Sequence, residues 1–150
     1  MKVKLLLCIT LMMFALLLSG CGEDSGLDDA DKVLENLLTG GAFSEELEEL
    51  DSAIGCEYYG LNPLDFENAR FFFPPLSLKA EELVYLKAKD EEAFTRAQKA
   101  AAARIAYQKM AMGDYLPAEV PKLDEALVLT DETSLVVVVV VANDYSVIDK

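Results

Sequence analysis

The residue with the clearest chemistry in this sequence is a cysteine close to the N-terminus. Leu18-Ser19-Gly20-Cys21 closes a short apolar run, and that order of residues is a lipobox. In lipobox chemistry the thiol is joined to diacylglycerol through a thioether before cleavage, so the cut falls between Gly20 and Cys21 and a lipidated Cys21 becomes the first residue. Nothing downstream matches it as a reactive centre. The chain has no histidine, which removes His-based triads, Cys–His pairs and imidazole metal sites together. Glu45, Glu46, Glu48, Glu49 and Asp51 could ligate calcium, but they lack the Asp/Asn/Gly spacing of an EF-hand loop, and a solvated face is the favoured reading. No glycine-rich phosphate loop is present. Paired carboxylates for glycoside hydrolysis are recognised by a distance rather than a spacing, so the sequence does not pick them out. No catalytic set, metal site or cofactor is therefore expected.

Of the three cysteines, Cys8 leaves with the leader and Cys21 takes the lipid. Cys56 remains, so no intrachain disulfide can form, and a lone thiol without histidine reads as a small buried apolar residue. Two further positions could act on a ligand or a partner. Arg104 falls inside the apolar arc of a long helix, where it could pair with a buried carboxylate or receive an anion, with a snorkelling edge residue as the favoured reading. Asp114-Tyr115-Leu116-Pro117 reads as a helix exit with a packed tyrosine.

These residues need an address and a scaffold. Lys2 and Lys4, an apolar stretch over residues 5–18, then Ser19 and Gly20 form the three parts of an export signal. As a helix the apolar stretch would span roughly 21 Å, short of the ~30 Å core of a bilayer. Two acyl chains on Cys21 would anchor stably where one would not. The expected organisation is a signal peptide over residues 1–20, a tether over residues 21–26 reaching at most roughly 20 Å, and one domain over residues 27–150. That places the domain at the extracytoplasmic face of the cell membrane. The formal net charge of the 150-residue chain is −14, and losing Lys2 and Lys4 makes the remainder more acidic, which argues against a nucleic-acid partner.

The expected fold is α+β: a two-layer domain with a small, mostly antiparallel sheet, one long helix packed on it and short N-terminal helices. Asp28 and Asp29 precede Val33, Leu34, Leu37 and Leu38, the pattern of a short amphipathic helix ended by Gly40-Gly41. Leu47 and Leu50 give residues 44–51 helical spacing, with an extended alternative. Residues 69–73, stopped by Pro74-Pro75, read as an edge strand. In the strand Glu82–Ala88, Val84, Leu86 and Ala88 share a dry face, and Leu83, Tyr85 and Lys87 share a half-wet one. Asp90 caps the long helix, with Phe94, Ala97, Ala101, Ile105 and Met112 on one stripe, widened by Ala93, Ala100, Tyr107 and Ala111. Residues 125–130 and 135–142 form a hairpin through Asp131-Glu132-Thr133. The run Val136–Val141 is apolar on both faces and too short to cross a membrane, so it reads as a central strand whose second face is covered by the N-terminal helix or by a partner.

The order Tyr59-Gly60-Leu61-Asn62-Pro63, Ala80-Glu81-Glu82-Leu83, Lys87-Ala88-Lys89-Asp90, Arg104-Ile105-Ala106-Tyr107-Gln108-Lys109, Asp114-Tyr115-Leu116-Pro117 and the final hairpin resembles small bacterial lipoproteins of the domain-of-unknown-function family 4358, over about residues 59–150. The chain differs from that family in the turn at Asp131-Glu132-Thr133-Ser134, where a Gly-Asn type is common, and in its alanine-rich helix. The resemblance implies a lipoprotein and supplies no catalytic residues. The functional expectation is a lipid-anchored, non-enzymatic binding or scaffolding module. The alternatives are a small extracytoplasmic enzyme using carboxylates or Arg104, and an accessory subunit of a membrane complex. Beyond the membrane, self-coverage of the sheet is the favoured reading, and a protein partner docking on the sheet face through Tyr85 and Lys87 is the alternative.

Overall fold

The computed structural model describes residues 26–76 and 78–148. The leader, Gly20, Cys21 and all but the last residue of the tether lie outside them. The described chain runs α1 (Ala30–Thr39), β1 (Glu48–Leu50), α2 (Ser52–Tyr59), β2 (Phe66–Phe73), β3 (Glu82–Ala88), α3 (Glu91–Tyr115), α4 (Val120–Asp124), β4 (Leu127–Asp131) and β5 (Val136–Val141). The strands form one antiparallel sheet in the order β1-β2-β3-β5-β4. The architecture is α+β, as the sequence pattern predicts.

Local chemistry sets the helix ends. The carboxylates of Asp29, Asp51 and Asp90 accept backbone N–H groups of Lys32, Ala53 and Ala93 at the starts of α1, α2 and α3, each satisfying a donor the helix leaves free. Gly60 ends α2 at φ 65°, a left-handed conformation that favours glycine.

All six valines of β5 are fully buried, because the sheet has cover on both sides. On one face Val137 and Val139 join Phe71, Val84 and Leu86 beneath Phe94, Ala97 and Ala101 of α3 and Cys56 and Tyr59 of α2. On the other, Val136, Val138 and Val140 join Phe72, Leu83 and Tyr85 against Leu34 of α1 and Leu47. A third cluster at one end of the sheet packs Met112 and Leu123 on Val141 and Ala80. The N-terminal helix thus supplies the cover that the valine run requires.

Four expectations change. Residues 48–50 form strand β1 rather than a helical turn, since Leu50, Glu49 and Glu48 pair with Phe71, Phe72 and Phe73. That pairing also moves β2 away from the edge of the sheet and lengthens it to Phe66–Phe73. The second face of β3 is dry, because α1 and the segment before it cover Leu83 and Tyr85; only Lys87 keeps a partly exposed side chain. Tyr107 and Tyr115 are exposed rather than packed. The β4–β5 turn works without glycine: the Asp131 carboxylate accepts Thr133 N–H at 2.8 Å and Ser134 Oγ–H at 2.7 Å, while Leu135 takes φ 57°, a conformation costing a side-chain-bearing residue about 1–2 kcal/mol.

Gly55 lets α2 lie directly on the sheet: a Cβ there would fall inside the buried Phe71 ring. Gly55→Ala should therefore cost about 1–3 kcal/mol by overpacking. Gly113→Ala, where a Cβ meets nothing within 4 Å, should instead add up to about 1 kcal/mol through helix propensity. Urea denaturation of the two variants checks both signs, and equal midpoints would contradict the close approach.

Candidate functional site

Glu81 and Glu82 stand next to each other at the head of β3, and strand geometry sends their side chains to opposite faces. Both residues are buried to within 1 % of full burial. A buried carboxylate is tolerated only when donors replace its water, and each of these has its own set.

Glu82 faces α3. Its Oε1 accepts the Tyr59 hydroxyl at 2.6 Å, and its Oε2 accepts Gln108 Nε2 at 3.1 Å and Arg104 Nη2 and Nε at 3.2 and 3.4 Å. Arg104 and Gln108 are four residues apart on α3 and so share a helix face. The Arg104 guanidinium also lies 5.8–5.9 Å from the ring centres of Tyr58, Tyr59 and Phe73, within cation–π range. Burial pushes the Glu82 carboxyl above the usual range against the pull of Arg104, Tyr59 and Gln108. Burial, and then the neighbouring Glu82 charge, push the Tyr59 hydroxyl well above its ordinary value.

Glu81 faces the other way. It accepts Ser44 N–H and Oγ–H at 2.7 and 2.6 Å and Lys122 Nζ at 2.8 Å. Lys122 also pairs with Glu119 at 2.9 Å, and Glu119 accepts Ala80 N–H at 2.9 Å. Burial raises the Glu81 carboxyl, but Lys122 and Ser44 outweigh it and hold the group below 4.5. One carboxylate therefore ties α3 to the sheet, and its neighbour ties α4 and the segment around residue 44.

Beside this pair runs a groove of about 390 Å³ between α3, β1, the end of β2, Pro74, Pro75 and Lys79. Tyr58, Tyr107 and Tyr115 are exposed along it, with Phe73, Gln108 and Glu48 in its lining. Glu81 and Arg104 line it too. Carboxylates do converge with the arginine here, but the buried ones are already held by protein donors. Among the described residues no group of three or more Cys, Asp or Glu is placed to hold a metal. Burial, followed by the Asp65 charge, raises the Cys56 thiol, so the thiolate that nucleophilic chemistry requires is disfavoured.

The residues singled out from the sequence are not brought together. Arg104 lies beside the groove, paired with a buried carboxylate rather than snorkelling at an edge. Tyr85 is on the opposite face, fully buried, with its hydroxyl donating to the carbonyls of Leu27 and Asp28 at 3.0 and 3.2 Å. Lys87 pairs with Asp28 at 2.7 Å and with Glu67 at 3.8 Å. The segment leading into α1 occupies the sheet face that a partner would otherwise cover. Cys21 and Gly20 lie outside the described residues. Sequence reasoning missed Glu82, Tyr59 and Lys122, although parity places Glu82 on the dry face with Val84 and Leu86, which was a signal that it needs partners.

A family model described as Domain of unknown function (DUF4358) matches residues 41–141, and the chain belongs to that family. The matched span takes in β1 and α2 as well as the segments that carry the resemblance. No curated protein and no solved structure shows a significant match.

Removing Arg104 would strand a buried charge, so Arg104→Met should cost about 3–5 kcal/mol. Glu82→Gln keeps a partner for Tyr59, and the double variant should cost less than the two single changes added together, by at least about 1 kcal/mol. Strict additivity in denaturant unfolding would show that the two side chains are not coupled.

Proposed function

We propose that this DUF4358 member is a lipid-anchored extracytoplasmic lipoprotein acting as a binding or scaffolding module. The observation that carries the address is Leu18-Ser19-Gly20-Cys21 behind a basic and apolar leader. Among the described residues no helix is long and apolar enough to cross a membrane. Only five residues separate Cys21 from Leu27, a reach of at most roughly 20 Å, so in this reading the domain is held close to the bilayer.

Two features favour binding over catalysis. The buried carboxylates serve the architecture, because every oxygen of Glu81 and Glu82 accepts a hydrogen bond from the protein. The groove beside them offers exposed aromatic surface, which is what a docking ligand uses. The convergence of Glu48, Glu81 and Arg104 on one groove supports the second reading, a small extracytoplasmic enzyme. An accessory role in a membrane complex would use the groove rather than the sheet face, which α1 covers.

Cells fed a clickable fatty acid should label the wild-type protein at the membrane. Cys21→Ala should lose the label and leave the membrane fraction. A label that survives Cys21→Ala would refute the anchor.

A further inference from the structure

The groove carries two acceptors that the protein leaves uncompensated. An ionised Glu82 only accepts, so Gln108 turns its Nε2 toward that carboxylate, at 3.1 Å. Its Oε1 is thereby directed away, and it is fully buried with no hydrogen-bond partner, although Gln108 is itself 92 % buried (8 % exposed). Flipping the amide gives no relief, since it would set oxygen against oxygen. An orphaned buried acceptor costs about 1–3 kcal/mol, and because this oxygen is closed to solvent it marks a wall of the groove held under tension by Glu82 rather than a contact open to a ligand.

The second acceptor is a charge. Of the charged residues lining the groove, Lys79 pairs with Glu45, Glu81 with Lys122, and Arg104 with Glu82. Glu48 lines the same wall, is exposed, and has no ionic partner among the described residues. The one unpaired charge of this groove among the described residues is thus negative, and the domain around it is strongly acidic.

The aromatic surface is spaced for a chain-like ligand. Tyr107, Ala111 and Tyr115 recur every four residues along α3, so they form one ridge in which two exposed rings flank a small residue, roughly 12 Å apart along the helix. Neither hydroxyl has a hydrogen-bond partner among the described residues. Tyr58 faces them from α2, stacked edge-on against Phe73 with ring centres 5.8 Å apart. Exposed tyrosine faces attract cations as well as apolar groups, and a groove lined by them suits an extended peptide whose backbone needs few hydrogen bonds from the site.

We propose that the groove between α3, β1 and β2 docks a basic, extended peptide segment of a partner protein, with a Lys or Arg side chain at Glu48 and its apolar stem against Tyr107 and Tyr115. This rests on reading the domain as a binding module, and it names what that module binds.

The test uses the full chain in uncharged detergent micelles and a fluorescent decapeptide of alternating arginine and proline, read by anisotropy. Glu48→Gln and Tyr107→Ala alter exposed side chains without internal partners, so both variants should fold. Each should weaken binding about fivefold or more, whereas Glu132→Gln, the same charge change on the β4–β5 turn, should weaken it less than about twofold. Three results would overturn the assignment. Glu132→Gln matching Glu48→Gln would reduce the binding to bulk charge. Equal binding of a serine–proline decapeptide would remove the cation. Displacement of the peptide by chitotetraose, lost in Tyr107→Ala, would make this a glycan groove and would leave the binding-module reading standing.

Discussion

Glu81 and Glu82 enter the protein side by side at the head of its central strand, and the packing on both faces of the sheet is organised around keeping them satisfied. Isolated, each ionised carboxylate would cost several kcal/mol to bury. Glu82 is offset by Arg104 and Gln108 from α3 and by Tyr59 from α2, and Glu81 by Ser44 and by Lys122 from α4. Three helices and one loop are thereby fixed to two consecutive residues. The linkage to pH has opposite signs at the two sites. Glu81 is held below 4.5, so its contribution to stability is present above that value and is lost as pH falls through its folded value. Glu82 is raised, so the folded state holds its proton more tightly, and stability declines as pH rises from the ordinary glutamate value through the raised one.

The same constraint shapes the groove. Because Glu82 dictates the orientation of Gln108 and neutralises Arg104, the arginine is not free to receive an anion, and the polar group left over is an acceptor. The acidic domain reinforces that polarity. What reaches the groove must bring positive charge, and it meets tyrosine rings on the way. Confinement near a membrane surface by a short tether would raise the local concentration of partners held there.

Much of this fold was legible because the signals were local. Asp90 and the alanine stripe marked α3, and six consecutive valines demanded a strand covered on both faces. The misreadings share one cause, pairing that is set far away in sequence. β1 is three residues long and glutamate-rich, with no periodicity of its own, and it is a strand because Phe71–Phe73 pair with it. Tyr85 looked available to a partner until Leu27 and Asp28 supplied acceptors for its hydroxyl. Arg104 was visible as an anomaly in an apolar arc, and pairing with a buried carboxylate was among its possible roles. Its partner lies 22 residues away, at a strand position whose significance depends on which face α3 covers.

Two neighbouring carboxylates are shifted in opposite directions, Glu82 upward because burial outweighs its partners and Glu81 downward because its partners outweigh burial. Carbon-13 NMR titration of the glutamate side-chain carboxyls, with Glu81→Gln and Glu82→Gln used for assignment, measures that directly. The Glu81 signal should titrate below 4.5 and the Glu82 signal above it, on either side of the exposed glutamates. Both titrating together with the exposed set would contradict the account, because it would mean that neither carboxylate is buried among the donors described.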